Sequence, residues 1–291
     1  MQVLEQHFKM TDGFGLFYRK WPASGQAERV ILCLHGIEAH SGAFNFMGPQ
    51  LAGAGAEVYA LDRRGSGKSV EPGLQRGDAS DFNRQLEDLN NVVANLRSQH
   101  SSEKLFLFGH SIGCAYALWF AAHYSGSCDG LVLAAPPVAQ GFKLPSLDVI
   151  TLPFQSAFEP HHMFDLLDLW PQAFKESEEY RLIAQDELCT KNFSVAFLVN
   201  VQTKLANKML QNASKTDTPT LVLQGESDII ALPKGAAQVM EHLKTQDKAL
   251  RTFPGADHWF FHALIPTASS RYSEDERLSV SSAAADWLRV H

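Results

Sequence analysis

The chain has 291 residues, of which 45% are apolar and 20% charged, and its net charge is −7. A chain of this length buries a large core without disulfides or metals, and its apolar content excludes a disordered protein. The acidic balance argues against nucleic acid or an anionic membrane as the main partner. The longest apolar run, residues 114–122, is about half of the roughly 18 residues that span a bilayer, so we expect no integral membrane segment.

The N-terminal residues and the cysteines both indicate a cytoplasmic protein. The opening sequence MQVLEQHFKMTDG has no basic region followed by an apolar stretch, so we expect no signal peptide. The four cysteines, Cys33, Cys114, Cys128 and Cys189, are widely spaced and form no C-x-x-C pair. In a chain of this size they are expected to be reduced thiols rather than a disulfide framework.

The predicted elements alternate between strands and helices after an N-terminal hairpin. In chain order they are hairpin strands at 5–10 and 16–21, a strand at 30–34, a helix at 43–52, a strand at 57–61, a helix at 81–97, a strand at 104–108, a helix at 112–123, strands at 130–134, 219–224 and 249–253, and a helix at 273–289. Apolar strands that alternate with helices predict an α/β fold, in which a mostly parallel sheet is covered by helices on both faces.

Residues 137–214 interrupt this alternation. They show no clear strand, contain several prolines and are rich in Phe, Leu and Met. A loop of that length inside a compact domain is improbable. We therefore predict a mostly helical insertion, a lid or cap over the end of the sheet, with residues 1–136 and 215–291 forming the core.

A candidate nucleophile lies in the sequence Gly109-His110-Ser111-Ile112-Gly113, between a predicted strand and a predicted helix. A sharp strand-to-helix turn requires small residues two positions either side of the serine, because the two backbones approach closely there. The serine then lies at a helix N-terminus, where free N–H groups favour an anion. The alternative, a glycine-rich turn with an incidental serine, is the weaker interpretation.

A serine hydroxyl needs a base and an acid that orients the base, and here these are expected in the order Ser, Asp or Glu, His. Asp228 follows the strand at 219–224 and is the favoured acid, with Glu226 as the alternative. His258 follows the last strand and is the favoured base, while His262, about one helical turn further on, competes for that role.

Two backbone N–H groups are expected to bind the developing oxyanion. One belongs to Ile112, the residue after the nucleophile, and the other comes from the loop after the first core strand. That loop reads Leu34-His35-Gly36-Ile37, so Ile37 is the second candidate donor, with His35 and Gly36 shaping the turn.

Neither a cofactor nor a metal is predicted. The sequence Gly65-Ser66-Gly67-Lys68-Ser69 lacks the earlier glycine of a phosphate-binding loop, where Asp62 stands instead. No G-x-G-x-x-G occurs in the first strand–helix unit, which argues against a dinucleotide. The His161-His162 pair has no supporting cluster at ligand spacing.

In these motifs the chain resembles the α/β-hydrolase superfamily, and within it the monoacylglycerol lipase and lysophospholipase-like branch of serine-aminopeptidase-like hydrolases. The matching segments are 12–21, 35–41, 62–69, 109–113, 224–228 and 254–258. The resemblance implies a Ser111–Asp228–His258 triad with Ile37 and Ile112 as oxyanion donors. It does not carry over glycerol specificity, because Ala39 and Ala43 stand where the monoglyceride lipases have a glutamate and an arginine, and Glu38 is shifted by one position.

The favoured function is a serine hydrolase that cleaves a carboxylic ester with an apolar acyl chain, such as an acylglycerol, a lysophospholipid or a similar small acyl ester, through an acyl-enzyme on Ser111. A thioesterase, amidase or acyltransferase would use the same acyl-enzyme, and a non-catalytic ligand-binding protein is the alternative from another class. Further substrate contacts are expected from His35, Gly36, Glu38, His40, His110, Phe158, Phe164 and His262. The apolar rim of the lid could touch a membrane surface transiently, and the oligomeric state is left open.

Overall fold

A sheet of eight strands runs through the part of the chain described by this computed structural model, which covers residues 2–140, 156–165, 175–176, 178–260 and 273–291. The strands are β1 Leu4–Lys9, β2 Gly15–Trp21, β3 Arg29–Leu34, β4 Ala56–Leu61, β5 Lys104–His110, β6 Gly130–Ala134, β9 Thr220–Gly225 and β10 Lys248–Phe253; β7 Met163–Asp165 and β8 Asn192–Ser194 form a separate pair. The sheet order is β1-β2-β4-β3-β5-β6-β9-β10.

The sheet is parallel from β4 to β10, and β1 and β2 form an antiparallel N-terminal hairpin that joins it through β4. The helices are α1 Met47–Gly53, α2 Phe82–Gln99, α3 Ile112–His123, α4 Glu178–Gln185, α5 Val195–Asn200, α6 Met209–Ala213, α7 Pro233–His242 and α8 Glu274–Val290. The predicted α/β architecture is therefore confirmed.

Two apolar cores lie on opposite faces of the sheet, because successive side chains of a strand point to opposite sides. In β3, Val30, Leu32 and Leu34 face one core, while Ile31 and Cys33 face the other. Helices α2, α3 and α7 cover the first face, and α1 and α8 cover the second. Helix α3 is buried on nearly all sides, which explains why its sequence is apolar throughout instead of amphipathic.

The structure corrects the sequence prediction in three places. The helix expected at 43–52 is a 3-10 turn, Ser41–Phe44, followed by α1, because the His40 side chain accepts a hydrogen bond from Gly42 N and caps a separate turn. Helix α7, which begins at Pro233, was missed. The expectation of no strand within 137–214 is wrong, since β7 and β8 pair there; three residues are too few to show an alternating pattern.

The parallel pairing of β3 with β5 creates the place where a site can form. Chain order reverses at β3, because β4 lies on one side of it and β5 on the other. Ligands of open α/β sheets bind at the carboxyl ends of the strands beside such a reversal. In the strand register, Leu34 is paired with Gly109, so the loop after β3 lies beside the turn after β5.

Among the described residues, no helix combines the length and the apolar character that crossing a bilayer requires.

Side chains cap the N-termini of the two longest helices, α2 and α8. Asp81 accepts a hydrogen bond from Arg84 N at the start of α2, and Ser273 and Glu276 form a capping box at the start of α8.

We predict that Gly113→Ala destabilises the protein by about 2–4 kcal/mol, because fitting a Cβ there requires movement of backbone atoms. An added Cβ would lie 2.1 Å from the Leu34 carbonyl oxygen. Urea unfolding measures the change. The matched control is Gly53→Ala at the exposed end of α1, where no atom lies within 4 Å of the added Cβ; its expected change is within about 1 kcal/mol. Equal effects of the two substitutions would contradict this account of the turn.

Candidate active site

Ser111 lies at the sharp turn between β5 and α3. Its backbone has φ 53° and ψ −122°, a conformation that costs a non-glycine residue about 1–3 kcal/mol. The turn is fixed from two sides, since Ser111 N donates to the Ala134 carbonyl at 2.9 Å and Cys114 N donates to the Ser111 carbonyl at 2.9 Å. The surrounding backbone therefore holds the serine at the N-terminus of a buried helix.

The two glycines of the turn are required by close backbone contacts. A Cβ on Gly109 would lie 2.5 Å from the Gly113 carbonyl, and one on Gly113 would collide with the carbonyl of Leu34. Helix α3 therefore packs directly against the ends of β3 and β5. This spacing is the physical reason for small residues two positions either side of Ser111.

His258 and Asp228 form a buried pair beside this turn. His258 Nδ1 donates to Asp228 Oδ2 at 2.8 Å, and both side chains are almost completely inaccessible to solvent. The other carboxylate oxygen, Asp228 Oδ1, accepts hydrogen bonds from Ile230 N and Ala231 N, each at 2.8 Å. The acid is thus fixed by its own loop and in turn fixes the orientation of the imidazole.

The histidine loop is anchored to the serine turn through His110. His110 Nε2 donates to the His258 carbonyl at 2.9 Å, and the two rings lie 4.9 Å apart. Glu226, the alternative acid, is exposed, and the hydrogen-bonded partner of His258 is Asp228. His262, the alternative base, falls outside the described residues.

The loop after β3 orients the peptide between Gly36 and Ile37. The Gly36 carbonyl accepts hydrogen bonds from His35 Nδ1 at 2.7 Å and from Arg63 Nη2 at 2.8 Å. In a trans peptide the C=O and the following N–H point in opposite directions, so the Ile37 N–H points away from Arg63. Gly36 itself adjoins Ser111, whose Cβ lies 3.6 Å from the position of a Cβ on Gly36.

Ile112, the second candidate donor, is the first residue of α3. An N–H at that position has no acceptor within its own helix. An N–H so placed is suited to bind an anion beside Ser111, so Ile112 stays a candidate donor.

A second carboxylate, Glu38, lies close to this cluster. It is buried, and its Oε1 accepts a hydrogen bond from Trp259 Nε1 at 3.1 Å. Burial lowers the pKa of His258, but the carboxylates of Asp228 and Glu38 outweigh this effect, so that the pKa is raised above its ordinary value. The protein environment therefore stabilises the imidazolium form.

Several other expected contact residues are engaged in holding loops together. His35 accepts a hydrogen bond from Arg63 N at 3.2 Å through its Nε2, so both ring nitrogens bind the loop backbone. His40 binds Gly42 N through Nδ1 and Asp186 through Nε2, at 3.1 Å each. Phe164 packs partly against the core, while Phe158 is 72% exposed.

One cluster of metal-ligating types occurs in the described part of the chain. The ligand atoms of His40, Asp186 and Cys189 lie within 4.8 Å of one another. Binding a metal through His40 Nε2 would place the ring proton on Nδ1, where the Gly42 N–H already donates. Burial raises the pKa of Asp186, but its hydrogen bond with His40 outweighs this and lowers it to about 2; burial raises the pKa of the Cys189 thiol. We therefore assign the cluster to hydrogen bonding.

The sequence analysis did not identify Trp259 or Arg63 as parts of this site. Trp259 directly follows the histidine, and its indole N–H reaches across to the loop after β3. Arg63 is the first of two adjacent arginines in the loop after β4. Nothing in the local pattern distinguishes it from its neighbour, because its partner, the Gly36 carbonyl, belongs to another loop.

The chain matches a known protein family over most of its length. The family model described as serine aminopeptidase, S33, matches residues 25–263. Monoglyceride lipase of Homo sapiens is 28% identical over 285 residues, covering 96% of this chain and 91% of the relative. Monoacylglycerol lipase of Mycolicibacterium smegmatis is 24% identical, covering 89% of this chain and 91% of the relative.

Solved structures show the same fold. The monoacylglycerol lipase of Paleococcus ferrophilus superimposes with a TM-score of 0.77 at 26% identity, covering 94% of this chain and 98% of that one. The monoglyceride lipase of Saccharomyces cerevisiae, crystallised with a substrate analog, has a TM-score of 0.79 at 20% identity and covers 99% and 96%. At 20% identity, the similarity to the Saccharomyces cerevisiae enzyme shows a shared fold only.

We predict that Glu38→Gln lowers the pKa of His258 by about 0.5–1 unit, because it removes one of the negative charges that stabilise the imidazolium. Within the described parts of the chain, the titratable groups that contact or adjoin His258 include Asp228, Glu38, His110 and Asp257. An NMR titration of the His258 ring measures the pKa, which is expected above about 6.5 in the wild type.

The matched control for this titration is Glu226→Gln, which removes the same charge from an exposed position. It is expected to leave the pKa of His258 within about 0.2 units, because water screens exposed charges. An unchanged His258 pKa in Glu38→Gln would contradict the electrostatic role of Glu38.

Proposed function

The chain belongs to the serine aminopeptidase S33 family, and from this membership we propose that it is a serine hydrolase that cleaves carboxylic esters through an acyl-enzyme on Ser111. The observation that carries the proposal is the buried Asp228–His258 pair, anchored through His110 to a strained serine turn. A base oriented by an acid next to a serine at a helix N-terminus supplies what this chemistry needs.

The proposed reaction has two steps, acylation of Ser111 and hydrolysis of the acyl-enzyme by water. His258 removes the proton of Ser111 Oγ as the oxygen attacks the ester carbonyl carbon, and the N–H groups of Ile37 and Ile112 bind the resulting oxyanion. The tetrahedral intermediate expels the alcohol, which takes the proton from His258, and leaves the acyl group on Ser111. Water then repeats the sequence, releasing the carboxylic acid and restoring the serine.

We propose an acylglycerol, or a similar small acyl ester, as the substrate. The relatives named above are monoglyceride and monoacylglycerol lipases, which favours an ester over a thioester or an amide. Glu38 is a polar group beside the serine turn on the loop where those lipases carry their glutamate one position later. The reaction needs no cofactor.

Residues 137–214 are proposed to form a lid, inserted between the two parts of the core, 1–136 and 215–291. In support, the described part of this segment contacts the loop after β3 directly. Thr190 N donates to the Glu38 carbonyl at 2.7 Å, and Asp186 binds His40 at 3.1 Å. A segment that contacts the oxyanion loop is well placed to influence which substrate enters.

The cysteines agree with a cytoplasmic location, which we also propose. All four are free and buried. Burial raises the pKa of the Cys33 and Cys114 thiols, which keeps them protonated and unreactive.

We predict that a fluorophosphonate probe labels the wild-type protein at Ser111 and that p-nitrophenyl esters are hydrolysed. Ser111→Ala is expected to lose labelling and to lower kcat by at least about 10³-fold, because no oxygen nucleophile remains. Intact-protein mass spectrometry and steady-state rates over a series of acyl chain lengths provide the measurements. Folded wild-type protein that is neither labelled nor active would overturn the proposed function.

We further predict that Asp228→Asn lowers kcat by about 10³–10⁴-fold, since an amide no longer orients the correct tautomer of His258. Glu226→Gln is the control and is expected to stay within about twofold of wild type, as exposed substitutions have small effects. A larger loss in Glu226→Gln than in Asp228→Asn would show that the acid has been assigned to the wrong residue.

A further inference from the structure

Two adjacent arginines in the loop after β4 have equal burial and opposite surroundings. Arg63 and Arg64 are each 4% exposed. Arg64 is neutralised by carboxylates: it binds Asp88 at 2.6 and 2.9 Å, Glu71 at 2.7 Å and Asp12 at 3.0 Å. This ion-pair network links the loop to helix α2 through Asp88 and to the turn of the N-terminal hairpin through Asp12. Arg64 therefore has an evident structural role.

Arg63 has no carboxylate within ion-pair distance among the described residues. Its Nη2 donates to the Gly36 carbonyl at 2.8 Å, and its guanidinium lies over the Tyr116 ring at 4.8 Å. Its Nε and Nη1 have no hydrogen-bond acceptor in the described parts of the chain. Burial lowers the pKa of Arg63, which reflects the cost of keeping this charge out of water.

The hydrogen bond of Arg63 is not needed to satisfy the Gly36 carbonyl. His35 Nδ1 already donates to that oxygen at 2.7 Å. Arg63 therefore adds a second donor and a positive charge to an acceptor that is already paired. Burying a charged guanidinium is unfavourable, and its hydrogen bond to the Gly36 carbonyl does not by itself explain why the charge is kept there. Another physical effect is therefore needed.

That effect follows from the geometry of the peptide. Donors on the Gly36 carbonyl fix the peptide plane and draw electron density toward the oxygen, which makes the N–H at the other end a stronger donor. The N–H in question is that of Ile37, one of the two proposed oxyanion donors. A cation behind the carbonyl thus strengthens the dipole that points at the oxyanion.

We propose that Arg63 is a positioning residue for the oxyanion site, aiming and polarising the Ile37 N–H through the Gly36 carbonyl. The proposal rests on the proposed function, because it concerns the transition state of ester cleavage. Arg63 stabilises the tetrahedral intermediate, in which the carbonyl oxygen is negatively charged, much more than it stabilises the bound ester.

The test is Arg63→Met, which keeps an apolar side chain of similar length beside Tyr116. With active sites counted by fluorophosphonate labelling, kcat is expected to fall about 10–100-fold while KM changes less than about threefold. The inhibition constant of a trifluoromethyl ketone, which forms an oxyanion on the serine, is expected to rise by the same factor as kcat falls. Because Arg63 forms no ion pair with a carboxylate of the described residues, its replacement breaks no salt bridge, and Tm is expected to stay within about 4 °C of wild type.

The matched control is Arg64→Met. It is expected to lower Tm by about 5–10 °C, because it leaves Asp88 buried without its partner. Its kcat per labelled active site and its ketone affinity are expected to stay within twofold of wild type. Arg63→Lys retains a positive charge and N–H donors, and its kcat is expected to be at least about tenfold higher than that of Arg63→Met.

The proposal is overturned if Arg63→Met, or Arg63→Lys should the methionine variant fail to fold, matches the behaviour of Arg64→Met. That pattern would be a loss of Tm with kcat per active site and ketone affinity unchanged. Wild-type protein that neither hydrolyses esters nor binds the ketone would instead overturn the proposed function, and this proposal with it. The two failures are therefore distinguishable.

Discussion

The close contact between helix α3 and the end of strand β3 determines the geometry of the whole site. Gly113 lies against the Leu34 carbonyl with no room for a side chain, so the helix begins directly beside the loop that follows β3. Ser111, two residues before Gly113, has a positive φ of 53°. The same contact brings Gly36 next to the serine. Ser111, the proposed nucleophile, and the Gly36–Ile37 peptide come from distant parts of the sequence and become neighbours through this backbone contact.

Charge is distributed around that contact in the way ester cleavage requires. Positive charge develops on the histidine during attack, and the carboxylates of Asp228 and Glu38 lie on its side of the site. Negative charge develops on the carbonyl oxygen, and the guanidinium of Arg63 lies behind the peptide proposed to receive it. Both sets of groups are buried, so their fields are weakly screened and already oriented before substrate arrives.

The parts of this arrangement that were predictable are those encoded locally. The strands of the core are apolar runs, and the turn at Ser111 requires its glycines, so each is visible in a short window of sequence. Asp228 and His258 could be proposed as partners because each follows a recognisable strand, and the structure places their side chains 2.8 Å apart. The contacts of Glu38 with Trp259 and of Arg63 with Gly36 were not predictable, because each joins two loops whose proximity depends on strand order. In the sequence, Arg63 is indistinguishable from Arg64.

The loop after β3 connects catalysis to the inserted segment. Its Glu38 accepts a backbone hydrogen bond from Thr190, while its side chain binds the residue after His258. A displacement of the Thr190 segment would therefore act on Glu38, which raises the pKa of His258 and directly follows Ile37, a proposed oxyanion donor. Since the core loops are held by close packing and buried ion pairs, we propose that the segment influences which substrate enters, while the geometry of these loops stays the same. Ala39 and Ala43 are fully buried, whereas Glu38 and His40 hydrogen-bond to the segment through Thr190 and Asp186. Because Glu38 also binds Trp259, it joins the segment to the loop that carries His258.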